Sequence, residues 1–342
     1  MKQFIQRLVL APEAFSVVVL ILAIPLLAAA SPYFLTSQNV SQLFTQNLEI
    51  AIMALALAPL VIVREIDLSV GSILALSAVV FGKFIEMGAP WLIAAVAALA
   101  AGAVAGLFNG IMVTRFGLSS IVVTLATMAL FRGLANVIVS DETIVGFPEG
   151  FAGWDSWYVP GTLITVPQIL FVPLALVVGI ALATSTWGRR IYFIGSSPGV
   201  ARATAVPVDR IKIALFMGSG LAAALAGLVL SSRLDSVRAD TGTGFELLAL
   251  TVVLLGGVSI LGGRGSIAGV VVAVVLVGAL RSGMALAGQP DQARIALIGL
   301  LLLLSIVTNV GIQRLQQSMR RRRSLKLLTT PDIPKPAQST TV

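Results

Sequence analysis

Three ionisable side chains interrupt an otherwise apolar part of this sequence. Arg64, Glu65 and Asp67 lie where two apolar runs meet, residues 50–63 and residues 68–81. Charge inside a membrane segment has a high free-energy cost, so by default it faces the interior of a helix bundle or a watery cavity. Two carboxylates there can line a pathway or gate, or bind a proton or a sodium ion. The alternative is a short polar turn between two hairpin helices, with long side chains that reach an interface.

Neither apolar run is long enough to cross a membrane comfortably. A bilayer core of about 30 Å requires about 20 apolar residues in a straight helix. The two runs therefore predict a discontinuous or tightly turned pair of membrane segments. A second pair of short runs, residues 246–261 and 266–280, flanks the sequence Gly262-Gly263-Arg264.

The two breaks are followed by the same short sequence. Gly-Ser-Ile opens the apolar run after each break, at residues 71–73 and 265–267. Matching short segments interrupted by glycine in the two halves of a chain indicate structural repeats, and in transporters such segments line the pathway. A chance match within a low-complexity apolar chain is the alternative.

The composition is typical of a polytopic membrane protein. Of 342 residues, 57% are apolar and 11% are charged, and the mean hydropathy is +1.00. Histidine and cysteine are absent, so the usual proton shuttles, nucleophile bases and zinc ligands are missing. We therefore expect no catalytic residue, no metal site and no cofactor bound by this chain. The net charge of +8 lies in loops and tails rather than on a folded basic face, which argues against nucleic acid as a partner.

Charge in the loops predicts the orientation of ten spans. The acidic loop at residues 141–162 has no Lys or Arg, whereas residues 185–212 are basic and four arginines follow the last span at residues 320–323. Because positive charge collects on the cytoplasmic side, we expect both termini in the cytoplasm and the protein in the bacterial inner membrane. The predicted spans are residues 14–30, 50–63, 68–81, 91–113, 118–140, 163–184, 213–230, 246–261, 266–280 and 295–310.

This topology divides the chain into three parts. Residues 1–13 form a cytoplasmic tail, residues 14–311 the transmembrane domain with its cytoplasmic loop at 185–212, and residues 312–342 a basic, partly disordered cytoplasmic tail. The first span ends in three alanines that resemble a signal-peptide cleavage site. We expect it to be retained, because many spans follow it.

The cytoplasmic loop contains a short candidate helix. Ser196 or Ser197 is suited to cap it, Pro198 lies near its first turn, and the Ala-rich segment stops before Pro207. A short helix of small residues on the cytoplasmic face can seat in a groove of another protein. The alternative is a solvated linker whose charge only sets the orientation.

Several motifs resemble the permease subunits of bacterial ABC sugar importers of the ribose, xylose and galactose type. The resemblance covers residues 39–310 and rests on segments 66–72, 124–128, 131–133 and 195–212 and on the glycine pairs 256–257 and 262–263. Most relatives have two glycines where Arg64 and Glu65 stand, Asn in place of Ser197 and Gly in place of Ala205. The Arg-Glu variant, together with the sequence Ser196-Ser197-Pro198 in the cytoplasmic loop, resembles the rhamnose permeases most, with the autoinducer-two permeases next.

The resemblance implies both an architecture and a set of partners. The fold would be an all-α polytopic membrane protein of the type II ABC importer kind, with about ten transmembrane helices, broken or short helix pairs and internal repeats. The partners would be a second permease subunit in a homodimer or heterodimer, a cytoplasmic ATPase that binds ATP and magnesium, and a periplasmic sugar-binding protein. The cargo would be a monosaccharide, rhamnose or a related deoxyhexose first and autoinducer two as the alternative. This chain lacks the phosphate-binding motif Gly-x-x-x-x-Gly-Lys-Ser/Thr, so ATP hydrolysis belongs to the separate ATPase.

The resemblance also implies that residues 195–208 form the coupling helix that contacts the ATPase. Its expected contact residues are Gly195, Ser197, Ala201, Arg202, Ala203, Thr204, Ala205 and Val206. The expected pathway or hinge residues are Arg64, Glu65, Asp67, Ser69, Gly71, Asn109, Arg132, Gly262, Gly263 and Arg264.

Four of these residues have competing interpretations. Arg132 is expected to hydrogen-bond cargo hydroxyls or to pair with Glu65 or Asp67, unless it reaches the outer interface instead. Asn109 is expected to bond across helices or to line a lumen. The same two carboxylates suit an ion-coupled secondary transporter. An intramembrane enzyme has only acid pairs to support it.

Overall fold

The protein is helical along nearly all of its described length. The computed structural model describes residues 13–140, 142–154, 157–162 and 164–328. The helices are, in order, α1 Ala14–Ala30, α2 Ser37–Thr45, α3 Leu48–Ile62, α4 Val70–Glu86, α5 Trp91–Arg115, α6 Ser120–Val139, α7 Val166–Thr184, α8 Thr186–Ser196, α9 Pro198–Ala203, α10 Val208–Leu234, α11 Phe245–Leu255, α12 Ile267–Leu286 and α13 Asp291–Leu328. Two short strands, β1 Ile144–Val145 and β2 Ser236–Val237, pair antiparallel. The predicted all-α class is confirmed.

The membrane segments are of unequal length. Within the described residues, five helices are long and apolar enough to cross a membrane: α5, α6, α10, α12 and the first 18 residues of α13. Two bent pairs, α2 with α3 at 51° and α7 with α8 at 70°, raise the number to seven. The helices α1 and α11 are shorter and apolar, and α4 is a mostly buried helix of 17 residues. Each predicted span thus corresponds to one helix or to part of a bent pair.

Residues 31–47, between the first two predicted spans, are partly helical. This segment contains α2, whose start is capped by Thr36, since Thr36 Oγ1 accepts a hydrogen bond from Asn39 N at 3.3 Å. This helix is rich in Ser, Gln and Asn, so it does not appear as an apolar run in the sequence. The first broken span therefore begins well before residue 50.

The predicted bounds of the coupling loop and of the second break also change. Residues 186–196 form the helix α8 and are not a loop. The next helix, α9, covers only six residues, 198–203. The bounds predicted for the coupling helix, residues 195–208, are therefore wrong. The run predicted over residues 246–261 is helical only to Leu255, because Gly256 and Gly257 turn the chain, with φ +82° at Gly257.

The core is built around α3 and the pair α5 and α10. Every residue of α3 except Ala56 is buried. Helices α5 and α10 run antiparallel through contacts of small residues, and a Cβ on Gly102 would lie 2.5 Å from Gly220 O and 2.6 Å from Ala224 Cβ. Glycine at such positions lets two membrane helices approach closely. This contact positions both helices against the break after α3.

Replacing Gly102 with valine is expected to destabilise the protein. Overpacking a close contact costs about 1–3 kcal/mol, so the midpoint of thermal unfolding in detergent should fall. The matched control is Gly133→Val in α6, where a Cβ would meet no atom within 4 Å. Equal shifts for the two variants would contradict the α5–α10 contact.

Candidate functional site

The break between α3 and α4 covers residues 63–69 and begins with a backbone reversal. Arg64 adopts a left-handed conformation with φ +67°, which residues other than glycine rarely take. The backbone N–H groups of Arg64 and Glu65 turn back onto α3, donating to Val61 O at 3.0 Å and to Leu60 O at 2.9 Å. The chain thus leaves the helix axis while both amides remain hydrogen-bonded.

Asp67 organises the second half of the break. Its side chain is 1% exposed and accepts hydrogen bonds from Ser69 N at 3.0 Å and from Ser69 Oγ at 2.6 Å. Its other oxygen accepts from Ser219 Oγ of α10 at 3.0 Å. Asn109 Nδ2 of α5 donates to Ser69 Oγ at 2.8 Å. Because Ser69 directly precedes α4, this cluster fixes the start of α4 against α5 and α10.

Helix α6 satisfies the peptide groups of the break. Ile66 N donates to Ser120 Oγ at 3.2 Å, and Thr124 Oγ1 donates to Ile66 O at 3.3 Å. An unsatisfied backbone group in the membrane interior costs several kcal/mol, so irregular backbone persists there only where protein or water supplies partners. The two hydroxyls replace the hydrogen bonds that an unbroken helix would have made.

Glu65 forms an ion pair with Lys212 near the start of α10. Both side chains are mostly buried, with 11% of Glu65 and 13% of Lys212 exposed. Removing one member of such a pair leaves the other charge uncompensated, which is strongly destabilising. The pair therefore ties the break to α10. Among the described residues, no group of three or more His, Cys, Asp or Glu side chains is arranged to hold a metal ion.

Three parts of the chain meet at Arg64. Its Nε donates to Gly195 O at 2.7 Å and its Nη2 to Ser196 O at 3.4 Å, so the guanidinium binds the carbonyl end of α8. From the second break, Gly263 N donates to Ile62 O at 2.8 Å. We call Arg64, Gly195, Ser196 and Gly263 the junction. It brings together both breaks and the start of residues 195–208, the predicted coupling helix, which we call the coupling segment.

The junction is too closely packed for larger residues. A Cβ on Gly263 would lie 2.7 Å from Ser196 N, and a Cβ on Gly195 would lie 2.5 Å from Gly263 N. Gly262 lies beside Arg64 and Ile62. Gly262 and Gly263 also have φ values of +76° and +72°, in a region that favours glycine. The absence of side chains at these glycines allows the two breaks to touch.

A tyrosine that the sequence did not single out adds a second contact between α8 and the second break. Tyr192 Oη donates to Gly265 O at 2.8 Å. Arg264 itself is exposed, and its carbonyl accepts from Ser259 N at 3.0 Å. The second break is thus held by α8 on one side and by its own turn on the other.

Beyond the junction the predicted coupling segment is mostly exposed. Ala201 is fully buried, and Thr204 Oγ1 donates to Ala201 O at 2.9 Å after the last turn of α9. The exposed members are Arg202, Ala203, Thr204 and Ala205, while Ser197 and Val206 are half-buried. The segment is therefore anchored by one alanine, and its other residues lie at or near the surface.

A polar cavity lies beside this segment. Its volume is about 560 Å³, and Arg115, Arg202 and Arg210 line it together with Asp209. It separates the coupling segment from the turn that follows α5. The surface around the segment is therefore strongly basic.

Arg132 does not reach the carboxylates of the break. Its Nη1 donates to Ala239 O at 2.7 Å and to Thr241 O at 2.9 Å, which ties α6 to the loop before α11. The predicted pairing with Glu65 or Asp67 is wrong, because the first turns of α6, and not the turn that carries Arg132, pack against the break. Its contact with cargo hydroxyls stays a prediction.

Gly71, on the first turn of α4, allows the loop before α11 to approach. A Cβ there would lie 3.1 Å from Gly242 O and would collide with the carboxylate of Glu246. Glu246 Oε1 accepts from Gly244 N at 3.2 Å, while its Oε2 is buried without a hydrogen-bond partner in the described part of the chain. The sequence did not point to Glu246, because it lies at the edge of its apolar run.

Two further charges, one buried and one half-buried, were missed for the same reason. Glu49 is fully buried and pairs with Arg233 Nε at 3.0 Å, and Arg281 Nη1 donates to Asn47 Oδ1 at 3.1 Å. Glu49 immediately precedes the run at 50–63, and Arg281 immediately follows the run at 266–280. A search that extended each run by one residue would have found both.

Asp67→Ala is expected to destabilise the protein more than Asp67→Asn. Alanine removes the acceptor of three buried donors, each of which costs about 1–3 kcal/mol when unsatisfied, whereas asparagine keeps one oxygen for Ser69. The measurement is thermal unfolding together with cargo uptake by the assembled protein. We expect Asp67→Asn to retain transport. Loss of transport in an Asp67→Asn protein that still assembles would show that the negative charge itself is required.

Comparison with known proteins identifies the family. The family described as branched-chain amino acid transport system / permease component matches residues 39–306. The autoinducer 2 import system permease proteins LsrD of Escherichia coli (strain K12) and of Shigella flexneri are 38% identical over 274 residues, which cover 78% of this chain and 82% of each relative. No solved structure matches the chain. With most of its length matched in sequence, the chain belongs to the family of branched-chain amino acid transport system permease components.

Proposed function

We propose that this chain is the membrane-spanning permease subunit of an ATP-driven importer of small hydroxylated molecules. It forms the translocation pathway together with a second permease subunit. A cytoplasmic ABC ATPase drives it, and a periplasmic binding protein delivers its cargo. In this arrangement both termini and the coupling segment lie in the cytoplasm.

The observation that carries this proposal is the junction. Arg64 donates hydrogen bonds to the carbonyl end of α8, Gly263 packs against Ser196, and the rest of the coupling segment follows α8 directly. A partner that displaces the coupling segment therefore also displaces the ends of α3 and of the second break. Closure of the ATPase would in this way move both breaks together and alternate the access of the pathway.

The proposed cargo follows from the relatives. The permeases that are 38% identical are named for import of autoinducer 2, whereas rhamnose rests on sequence motifs alone. We therefore place an autoinducer-2-like molecule first and a deoxyhexose second. The selectivity of the binding protein decides between the two, and this chain does not contain it.

An ion-coupled transporter is less well supported. Glu65 already pairs with Lys212, and Asp67 is bonded to the hydroxyls of Ser69 and Ser219. Coordinating a sodium ion would require these partners to be displaced. The family membership also favours an ATP-driven subunit.

Uptake should depend on ATP and not on an ion gradient. Membrane vesicles containing this permease, its ATPase and its binding protein are expected to accumulate labelled autoinducer 2 or rhamnose only when ATP is supplied inside. Accumulation should survive an ionophore that collapses proton and sodium gradients. Uptake that stops with the gradient while ATP is present would contradict the proposal.

Arg202→Glu and Arg64→Ala should both uncouple the transporter. The first reverses the charge of the exposed coupling segment, and the second removes the hydrogen bonds that connect α8 to the break. Both proteins are expected to reach the membrane and to lose cargo uptake, while ATP hydrolysis continues. The control is Arg238→Glu, which replaces an exposed arginine in the loop before α11. Normal uptake by both variants would exclude transmission through the junction.

A further inference from the structure

A small polar cavity lies far from the junction. Its volume is about 180 Å³, and it is enclosed by α2, the end of α12 and the start of α13. Helix α12 begins just after the second break, and Arg281 in the cavity wall lies about 20 Å further along it, at 1.5 Å per residue. The cavity is therefore at the opposite end of α12 from the coupling segment.

Side-chain amides supply one wall of the cavity. Asn39 and Gln42 of α2 line it together with Gln46, the residue directly after α2. Their spacings of three and four place them on the same face. Both glutamines are exposed. Helix α2 thus turns a polar stripe toward α12, within a chain that is otherwise strongly apolar.

The opposite wall is held in place by hydrogen bonds. Ser282 Oγ donates to Asn39 Oδ1 at 2.6 Å, and Arg281 Nη1 donates to Asn47 Oδ1 at 3.1 Å. Arg294 pairs with Asp291. Its Nε is buried and has no hydrogen-bond partner among the described residues, so a donor remains available in the wall.

Most polar side chains in the cavity lining are neutral: they are the amides of Asn39, Gln42, Gln46 and Asn47 and the hydroxyl of Ser282, beside Arg281 and Arg294. The carboxylate of Asp291 pairs with Arg294, and Glu49, which pairs with Arg233, also lies close enough to Arg281 to attract it electrostatically. The lining as a whole does not select for an anionic ligand. A neutral ligand with many hydrogen-bonding groups fits better, because each amide offers both a donor and an acceptor, as each hydroxyl of such a ligand does.

We propose that this cavity binds one neutral polyhydroxylated molecule of the size of a single sugar ring. Its volume is below the range of roughly 300–1,000 Å³ that holds drug-sized ligands. The inference rests on the proposed function for the direction of transport. The cavity is then an outward-facing site where the cargo is held within one permease subunit, after its release from the binding protein.

The chain contains no cysteine, so single cysteines can test this proposal directly. Gln42→Cys and Gln46→Cys place a thiol in the wall, and Gln38→Cys is a matched control on the same helix, exposed but outside the cavity. The permease–ATPase complex in vesicles, without binding protein, is labelled with a membrane-impermeant thiol reagent. Autoinducer 2 or rhamnose serves as the probe ligand.

The probe should slow labelling at residues 42 and 46 and not at residue 38. At about twice the dissociation constant, the labelling rate should fall about threefold, because the unoccupied fraction is 1/(1 + [L]/Kd). Unchanged rates at all three positions, for a wild-type complex that shows ATP-driven uptake once the binding protein is added, would overturn the site and leave the proposed function standing. In a parallel sample that contains the binding protein without cargo, protection that appears only there would identify a docking surface and overturn the site as well.

A second measurement does not depend on labelling. Saturation-transfer NMR of the probe with the wild-type complex should give a signal that the double variant Gln42→Leu/Gln46→Leu loses and Gln38→Leu keeps. Signal retained in the double variant would reject the cavity. A complex that binds the probe in this way but shows no ATP-driven uptake would instead contradict the proposed function.

Discussion

The structure depends on one constraint: backbone groups that leave a helix inside a membrane must find partners within the protein. Residues 63–69 leave the helix, and Asp67, Ser120, Thr124 and Gly263 complete hydrogen bonds with the backbone at or beside this break. Each of these partners comes from the break itself, from α6 or from the second break. The break therefore determines where α6 and the second break must lie. Several buried polar residues, among them Asn109 and Ser219, lie around it for the same reason.

Both breaks were predictable from the sequence, because charges and glycines within apolar runs are visible there. The contact between the two breaks was not predictable. It joins residues as far apart as Ile62 and Gly263, and it uses backbone carbonyls and amides. Glycines contribute by having no side chain, and such a contact leaves no pattern that composition or periodicity can reveal. The sequence pointed to the residues of the junction separately, and only the fold brought them together.

The errors have a common physical cause. Hydropathy ends a run at its first charge, although a charge with a buried partner can lie inside the membrane domain, as Glu49 does with Arg233. Helix α2 was missed because its polar residues face a cavity rather than lipid. Arg132 was predicted to pair with the wrong carboxylates, because the prediction considered its position within the apolar run and not the face of α6 on which it lies. In each case the missing information was the identity of the neighbouring helix.

The junction also explains how a displacement at the coupling segment can reach distant parts of the molecule. A backbone hydrogen bond such as that from Gly263 N to Ile62 O leaves no flexible side chain between the two elements, so they move together. Helix α3 is almost completely buried and cannot shift without its neighbours, and Glu65 ties the same point to α10. Helix α12 starts just after the second break and ends at the polar cavity. A movement that begins at α8 therefore has a continuous, closely packed route to the cavity wall, so the release of a molecule held there can depend on the state of the coupling segment.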